Sequence, residues 1–399
     1  MGRFYEWICR IKHLAMINDF KNSVKRRFPN ILRLIFSLRD FLFNSITFLK
    51  LGRLQLNTSS VISVLYLTLN FPKRPPTRSE FSHGGTVKMT YLAEAFPHAF
   101  PSANLLYAVS SVGNSMSSAV LARARKKGLR IIVNQNGVAF PAWDGMNYQK
   151  TNQSLKAILD YSDYIIYQSR FCKLGAERYL APPDVPYEII YNPVDTRLFT
   201  PEACSKKPDN LTMLLGGNQY EKYRLELALE TLKVLHRDVP NAKLIVTGKL
   251  WLPYPEAVLW TKQALKEMGL VDHVTFTGTY TQAEAPMIYS KAHLLLHTKY
   301  ADPSPGLVLE ALALGLPVVH LGNGGVPELV GDAGVGVPVE HDWDQINLPD
   351  PYDMANAVMQ VYSRCDEFAQ KARQRAVENF SLEKFTARHA EMFERVLDS

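Results

Sequence analysis

Cysteine is scarce: Cys9, Cys172, Cys204 and Cys365 are scattered through 399 residues, with no Cys-x-x-Cys pair. That spacing indicates neither a zinc site nor a disulfide framework, and it fits a reducing compartment. Glycine and proline number 22 and 24, which argues against collagen-like or low-complexity chain. No membrane span is indicated, because Arg33, Arg39 and Asp40 interrupt a run that needs about 20 apolar residues. A cleavable signal peptide is not indicated either, since the apolar run starts late and lacks a small-residue cleavage site. What is there, 47% hydrophobic and 21% charged residues, is the composition of a soluble globular protein, and the length sets two domains as the expectation.

Charge is unevenly placed. Residues 1–60 carry eleven Lys/Arg against Glu6, Asp19 and Asp40, a net +8, which leaves 34 basic and 35 acidic residues for the rest. Between Ile31 and Leu51 the polar positions Arg33, Ser37, Asp40, Asn44 and Thr47 recur at helical spacing and form one narrow stripe. Two readings fit this basic amphipathic leader: a helix lying on an anionic membrane surface through residues 1–55, or an extra helical layer on the body. Lys25, Arg26 and Arg27 beside an apolar helix favour phospholipid headgroups. Nucleic acid is disfavoured, because Phe and Leu dominate the leader and the body adds no positive charge.

From Val61 onward, short β-branched runs alternate with helical patterns, which predicts βαβ units and a parallel sheet. Strands are expected at 61–69, 104–109, 130–134, 164–168 and 187–191. A second series is expected near 211–215, 243–247, 274–277, 293–297, 317–320 and 335–337. Two doubly wound α/β halves, joined near 192–199, would place a ligand cleft between their strand ends. The expected boundaries are a helical leader 1–58, an N-terminal domain 59–194, a C-terminal domain 195–380, and a C-terminal helix 381–399 able to cross back.

The stretch Asp302-Pro303-Ser304-Pro305-Gly306-Leu307 to Glu310, followed by Ala311, Ala313, Gly315, Pro317, Val318 and Val319, reads as a strand, a tight loop and a helix. The helix N-terminus attracts an anion, and Asp302 and Glu310 can border one ligand. Helix capping by Asp302 and a solvated Glu310 fit the same residues.

This stretch resembles the E-x7-E signature of retaining family 4 glycosyltransferases, also called group 1, which have the two-domain GT-B fold and use nucleotide-sugar donors. Gly324, Gly325 and Glu328 continue the likeness, as do Tyr191-Asn192-Pro193-Val194-Asp195 with Phe199 and Pro201, so that it covers about residues 61–395. The resemblance implies that Glu310 accepts from the ribose hydroxyls, that Asp302 faces the donor sugar, and that Lys222 meets the leaving diphosphate. It assigns donor binding to Gly84, Gly85, Gly217, Asn218, Arg224, Gly278, Tyr280, Ser304, Gly306 and Leu307. His83 and Asn136 become acceptor-side candidates, Asn136 standing where relatives often place His; Asn136-Gly137 also suits a plain turn. No metal and no cofactor beyond the nucleotide-sugar substrate is implied.

The sequence departs from the pattern at Asp302, whose carboxylate reaches about 1.5 Å less than a Glu, one C–C bond. It departs again at Pro303 and Pro305, which remove two amide donors, and at the missing Arg before Lys222, for which Arg224 is the candidate substitute. Asp342-Trp343-Asp344 matches a manganese-binding D-x-D, but three-residue matches are weak. The expected function is sugar transfer to a glycan or lipid-linked acceptor in surface polysaccharide or glycolipid synthesis, at the cytoplasmic membrane face. Alternatives are a GT-B nucleotide-sugar epimerase or hydrolase, and a non-catalytic partner protein.

Overall fold

The computed structural model describes residues 47–78, 80, 84–114, 116–201 and 208–399. Most of the amphipathic leader and His83 lie outside the described residues. The chain divides into two compact units. Of the described residues, those up to 193, 342–346 and 382–399 form the N-terminal unit, and 194–341 with 347–381 form the C-terminal unit.

The main sheet of the N-terminal unit has five parallel strands: β1 Val64–Tyr66, β2 Leu105–Val109, β3 Arg130–Gln135, β4 Tyr164–Tyr167 and β5 Tyr187–Ile189. Their order across the sheet is the order of the chain. Helices α1 Gly85–Ala95, α2 Ser117–Lys126, α3 Tyr148–Leu159 and α4 Arg170–Tyr179 connect them. Strands β2 and β4 are buried along their whole length, as expected where crossover helices cover a parallel sheet.

The C-terminal unit contains β6 Thr212–Leu215, α5 Lys222–Leu235, β7 Lys243–Thr247, α6 Tyr254–Met268, β8 Val274–Gly278, α7 Ala285–Tyr289, β9 Leu294–His297, α8 Gly306–Ala313, β10 Val318–Leu321, α9 Val326–Val330, β11 Gly334–Val337, α10 Pro351–Ser363 and α11 Cys365–Phe380. All pairs are parallel, and the order is β8-β7-β6-β9-β10-β11. The chain therefore winds outward from β6, returns, and winds the other way from β9. Such a reversal opens a crevice beyond the C-terminal ends of the two central strands.

The expected strands all form, most of them a residue or more shorter at an end, and β1 is trimmed to three residues of the nine read from the sequence.

Two devices fix the ends of the C-terminal unit. Asp195 Oδ1 accepts from the Arg197 and Leu198 amides at 3.0 and 3.2 Å, while Phe199 is fully buried. Arg373 donates to the carbonyls of Phe199, Ala313 and Thr196 at 2.8, 2.7 and 3.1 Å, so one guanidinium satisfies three backbone acceptors. The last helix, α12 Leu382–Asp398, belongs to the N-terminal unit and buries Phe385, His389, Met392, Phe393 and Val396 at helical spacing. The apolar side chains among them join the core formed by Tyr66, Met89, Leu92, Tyr107 and Ile132.

Candidate functional site

The switch point of the C-terminal sheet is framed by the loop after β6, Gly216-Gly217-Asn218, and the loop after β9, Thr298 to Asp302. The first turn of α5 ties the two together: Thr298 Oγ1 donates to the Arg224 carbonyl at 2.9 Å, and the Tyr300 amide to Tyr223 Oη at 3.1 Å. Arg224 is buried beneath the first loop, where its guanidinium donates to the carbonyls of Asn218 and, at 3.3 Å, Gly216. The Asn218 side chain braces the same loop, accepting from the Lys249 amide at 2.9 Å and donating to Tyr220 Oη at 3.0 Å. Gly248, at φ +79°, passes so close that a Cβ there would run into the Gly217 carbonyl.

Glu310 lies in the second turn of α8, half-buried. Tyr289 Oη donates to its Oε2 at 3.2 Å and Gln282 Nε2 to its Oε1 at 3.3 Å. Tyr280 Oη lies 2.7 Å from Tyr289 Oη, so a chain of hydroxyls leads from the loop after β8 to the carboxylate. Burial pushes the Glu310 carboxyl up to about 7, against the lowering effect of Gln282 and Tyr289. A carboxylate poised in this way gains from further hydroxyl donors, which favour its charged form.

Asp302 is buried at the end of the β9 loop. Lys299 Nζ and His297 Nε2 each lie 3.5 Å from its Oδ2. Burial alone would raise the pKa of Asp302, but the Lys299 ammonium, the His297 ring and the Arg224 charge outweigh it and hold the carboxyl well below the usual range. The backbone here is constrained. Ala301 sits at φ +48°, a strained conformation for a residue with a Cβ, and Asn323 Oδ1 accepts from its amide at 3.0 Å. Gly324, at φ +74°, approaches so closely that a Cβ would lie 2.8 Å from the Asp302 backbone, and the Gly325 amide donates to the Asp302 carbonyl at 2.9 Å. The Gly-Gly pair of the motif is thus the support of the Asp302 loop. At the head of α8, Pro305 is the N-cap without a side-chain bond, Gly306 is exposed and Ser304 is buried. Leu307 packs against Gly216, where a Cβ would collide with its side chain.

Lys222 stands apart from these contacts. Its ammonium pairs with Glu226 at 3.1 Å and lies 4.5 Å from the centroid of the Trp260 ring. Asp342 and Asp344 flank Trp343, which packs among Phe140, Phe171 and Tyr179 in the N-terminal unit. The Asp344 amide donates to Asp342 Oδ1 at 2.7 Å, closing a turn around that aromatic plug.

In the N-terminal unit, Gly84 at φ +55° leads into α1, and Gly85 sits against Val109 and Ser111. Four residues into the helix, Lys88 is buried and donates to Asn134 Oδ1 at 2.9 Å and Asn136 Oδ1 at 3.0 Å. Burial pulls its ammonium down to about 7. Ammonium only donates, so both amides face it with oxygen and turn their NH2 groups away. Asn134 then donates to Tyr107 Oη at 2.9 Å, and Asn136 to Ser111 Oγ. Tyr107 Oη lies 3.2 Å from His389 Nε2, while His389 Nδ1 bonds the Phe385 carbonyl at 2.8 Å. A carbonyl only accepts, so Nδ1 carries the ring proton and Nε2 accepts from Tyr107, burial keeping the ring neutral with a pKa lowered to about 4. Asn136 is thereby held as a donor, the half-exposed end of a buried polar network.

Sequence reasoning missed Lys88, Gln282, Tyr289, His297 and Lys299. Lys299, three residues before Asp302, was within reach of that reasoning, whereas the others depend on which elements pair in space.

A parallel sheet with a switch point, carboxylates beyond its strand ends and a second parallel α/β unit accord with the GT-B fold. Solved structures agree: Anabaena HepE in complex with UDP and glucose superposes with a TM-score of 0.62 at 15% identity, covering 83% of this chain and 99% of that one. Sucrose-phosphate synthase from Thermosynechococcus elongatus superposes with a TM-score of 0.60 at 19% identity, covering 78% of each chain. Residues 200–375 match the family described as glycosyl transferases group 1. The chain is 26% identical over 234 residues to the GDP-mannose-dependent alpha-(1-6)-phosphatidylinositol monomannoside mannosyltransferase of Mycolicibacterium smegmatis, over 54% of this chain and 59% of that protein. It is also 26% identical over 175 residues to one component of the phosphatidylinositol N-acetylglucosaminyltransferase of Arabidopsis thaliana, over 44% of this chain and 36% of that protein. The chain thus spans about a third to three-fifths of these relatives' lengths.

Proposed function

We propose that this protein is a retaining, metal-independent glycosyltransferase that moves a sugar from a nucleotide-sugar, bound by the C-terminal unit, to a glycan or lipid-linked acceptor. The observation that carries this reading is Glu310, held by Tyr289 and Gln282 at the switch point and eight residues from the charged Asp302. The ribose hydroxyls donate to Glu310, and Asp302 faces the sugar. The bond from the anomeric carbon to the diphosphate oxygen breaks, one to the acceptor oxygen forms on the same face, and the acceptor proton passes to the departing diphosphate. Fixed donors at the leaving group favour that transition state, and in this reading the amides around Gly306 and Leu307 supply them. Lys222 joins them by exchanging Glu226 and Trp260 for the diphosphate.

The relatives named for phosphatidylinositol substrates support a lipid-linked acceptor, and the basic leader supports work at the cytoplasmic face of a membrane. Among the described residues no helix is long and apolar enough to cross one.

The test is thermal stability of the full chain against UDP-, GDP-, ADP- and dTDP-sugars. A ligand at about 100 times its Kd adds about 2.7 kcal/mol. Stabilisation by one nucleotide class, abolished in Glu310→Ala, supports the reading. No response from folded protein contradicts it and turns the account toward a non-catalytic partner protein.

A further inference from the structure

We propose that Lys299 reads the donor sugar, acting with Asp302 as a charged pair that offers one donor and one acceptor to neighbouring sugar oxygens. The inference rests on the nucleotide-sugar reading above and adds a specificity-determining residue to it.

Lys222 and Lys299 differ in what they already hold. Lys222 is occupied by Glu226 and the Trp260 ring. Lys299 meets Asp302 at 3.5 Å, ion-pair distance but longer than a good hydrogen bond, and among the described residues its ammonium has no other polar partner. Its side chain is 27% exposed whereas that of Asp302 is 11% exposed, so the ammonium is the accessible member of the pair. An ammonium with three donors and no hydrogen bond, anchored by charge at the C-terminal end of a central strand, is placed to bond a ligand oxygen.

The loop that enters α8 has few backbone donors of its own. Pro303 and Pro305 remove two amide donors from the loop that enters α8. Of the other side chains facing Asp302, Arg224 is bound to loop carbonyls and His297 is buried, so neither is as accessible as Lys299. The backbone that carries the carboxylate is held in place by Ala301, Asn323 and Gly324. Asp302 and Lys299 therefore offer an acceptor on a constrained backbone beside a longer, adjustable donor, which suits two adjacent sugar hydroxyls.

The experiment measures the affinity of the full chain for the nucleotide-sugar that stabilises it most and for the matching nucleoside diphosphate, by titration calorimetry. It compares wild type, Lys299→Met, Lys299→Arg and Glu310→Ala, after melting curves without ligand confirm that each is folded. Hydrogen bonds to charged groups are worth about 10- to 100-fold in binding. Lys299→Met is expected to lose that factor for the nucleotide-sugar while keeping the nucleoside diphosphate affinity, and Lys299→Arg to recover part of it. Glu310→Ala is expected to weaken both ligands. Unchanged nucleotide-sugar affinity in Lys299→Met overturns the inference, as does an equal loss for both ligands, which would mean that Lys299 serves the nucleotide or the loop. A wild type that binds neither ligand overturns the underlying nucleotide-sugar reading and this inference with it.

Discussion

The two units solve the same folding problem with different strand orders, and their polar residues differ accordingly. In the C-terminal unit the chain reverses direction between β6 and β9, and charged groups gather on the loops beyond those strands. In the N-terminal unit the described strands run in chain order, and the polar groups lie beneath the strand ends as a network from Lys88 to His389. A switch point exposes chemistry on loops, where a few residues in sequence suffice to write it. A buried network draws its members from α1, β2, β3 and α12, which no short motif can encode.

The sharpest way to break this contrast is Glu310→Ala. If the C-terminal loops hold the reactive ligand, transfer from the nucleotide-sugar should fall by about 10²–10³, as for other preorganised polar groups at a reacting centre. Melting curves should show no loss of folding. Next comes Gly248→Ala, which places a Cβ against the Gly217 carbonyl at a positive φ. It should lower stability by about 2–4 kcal/mol in denaturant titrations, since neither backbone can yield.

The N-terminal network makes its own prediction in pH. Lys88 has a folded pKa near 7, below its unfolded value of about 10.4, so between these values the unfolded chain binds one more proton. Stability from this group therefore rises with pH across that window, by up to about 1.4 kcal/mol per unit, and is flat below about 7. Lys88→Met should remove that slope, as read by denaturant titrations at pH 7, 8 and 9. The smallest effect is expected from Glu226→Gln, which frees Lys222. The pair is half exposed and worth about 0–1 kcal/mol, so nucleoside diphosphate affinity should rise by no more than about fivefold.

Legibility followed the same division. The spacing of Asp302, Glu310, Gly324 and Gly325 was readable because a strand, a loop and a helix place them within one stretch of chain. Their physical roles were not. Gly324 supports Asp302 from the loop after β10, a relation that exists only once β9 and β10 pair. Arg224 reads in sequence as a donor contact and proves to be buried under the Gly216–Asn218 loop, because the helical turn after Lys222 faces the sheet. Nothing in the sequence marks Lys88, whose partners Asn134 and Asn136 lie more than forty residues away in the chain. Asn136 is noticeable at its strand end, whereas the lysine that orients its amide is not.

The central claim is that the C-terminal switch point is a nucleotide-sugar site organised by Glu310. A crystal structure of the full chain with the most stabilising nucleoside diphosphate tests it most directly. The account predicts ribose hydroxyls within hydrogen-bond distance of Glu310 and the diphosphate at the head of α8. A nucleotide bound elsewhere, with Glu310 still held only by Tyr289 and Gln282, would contradict it.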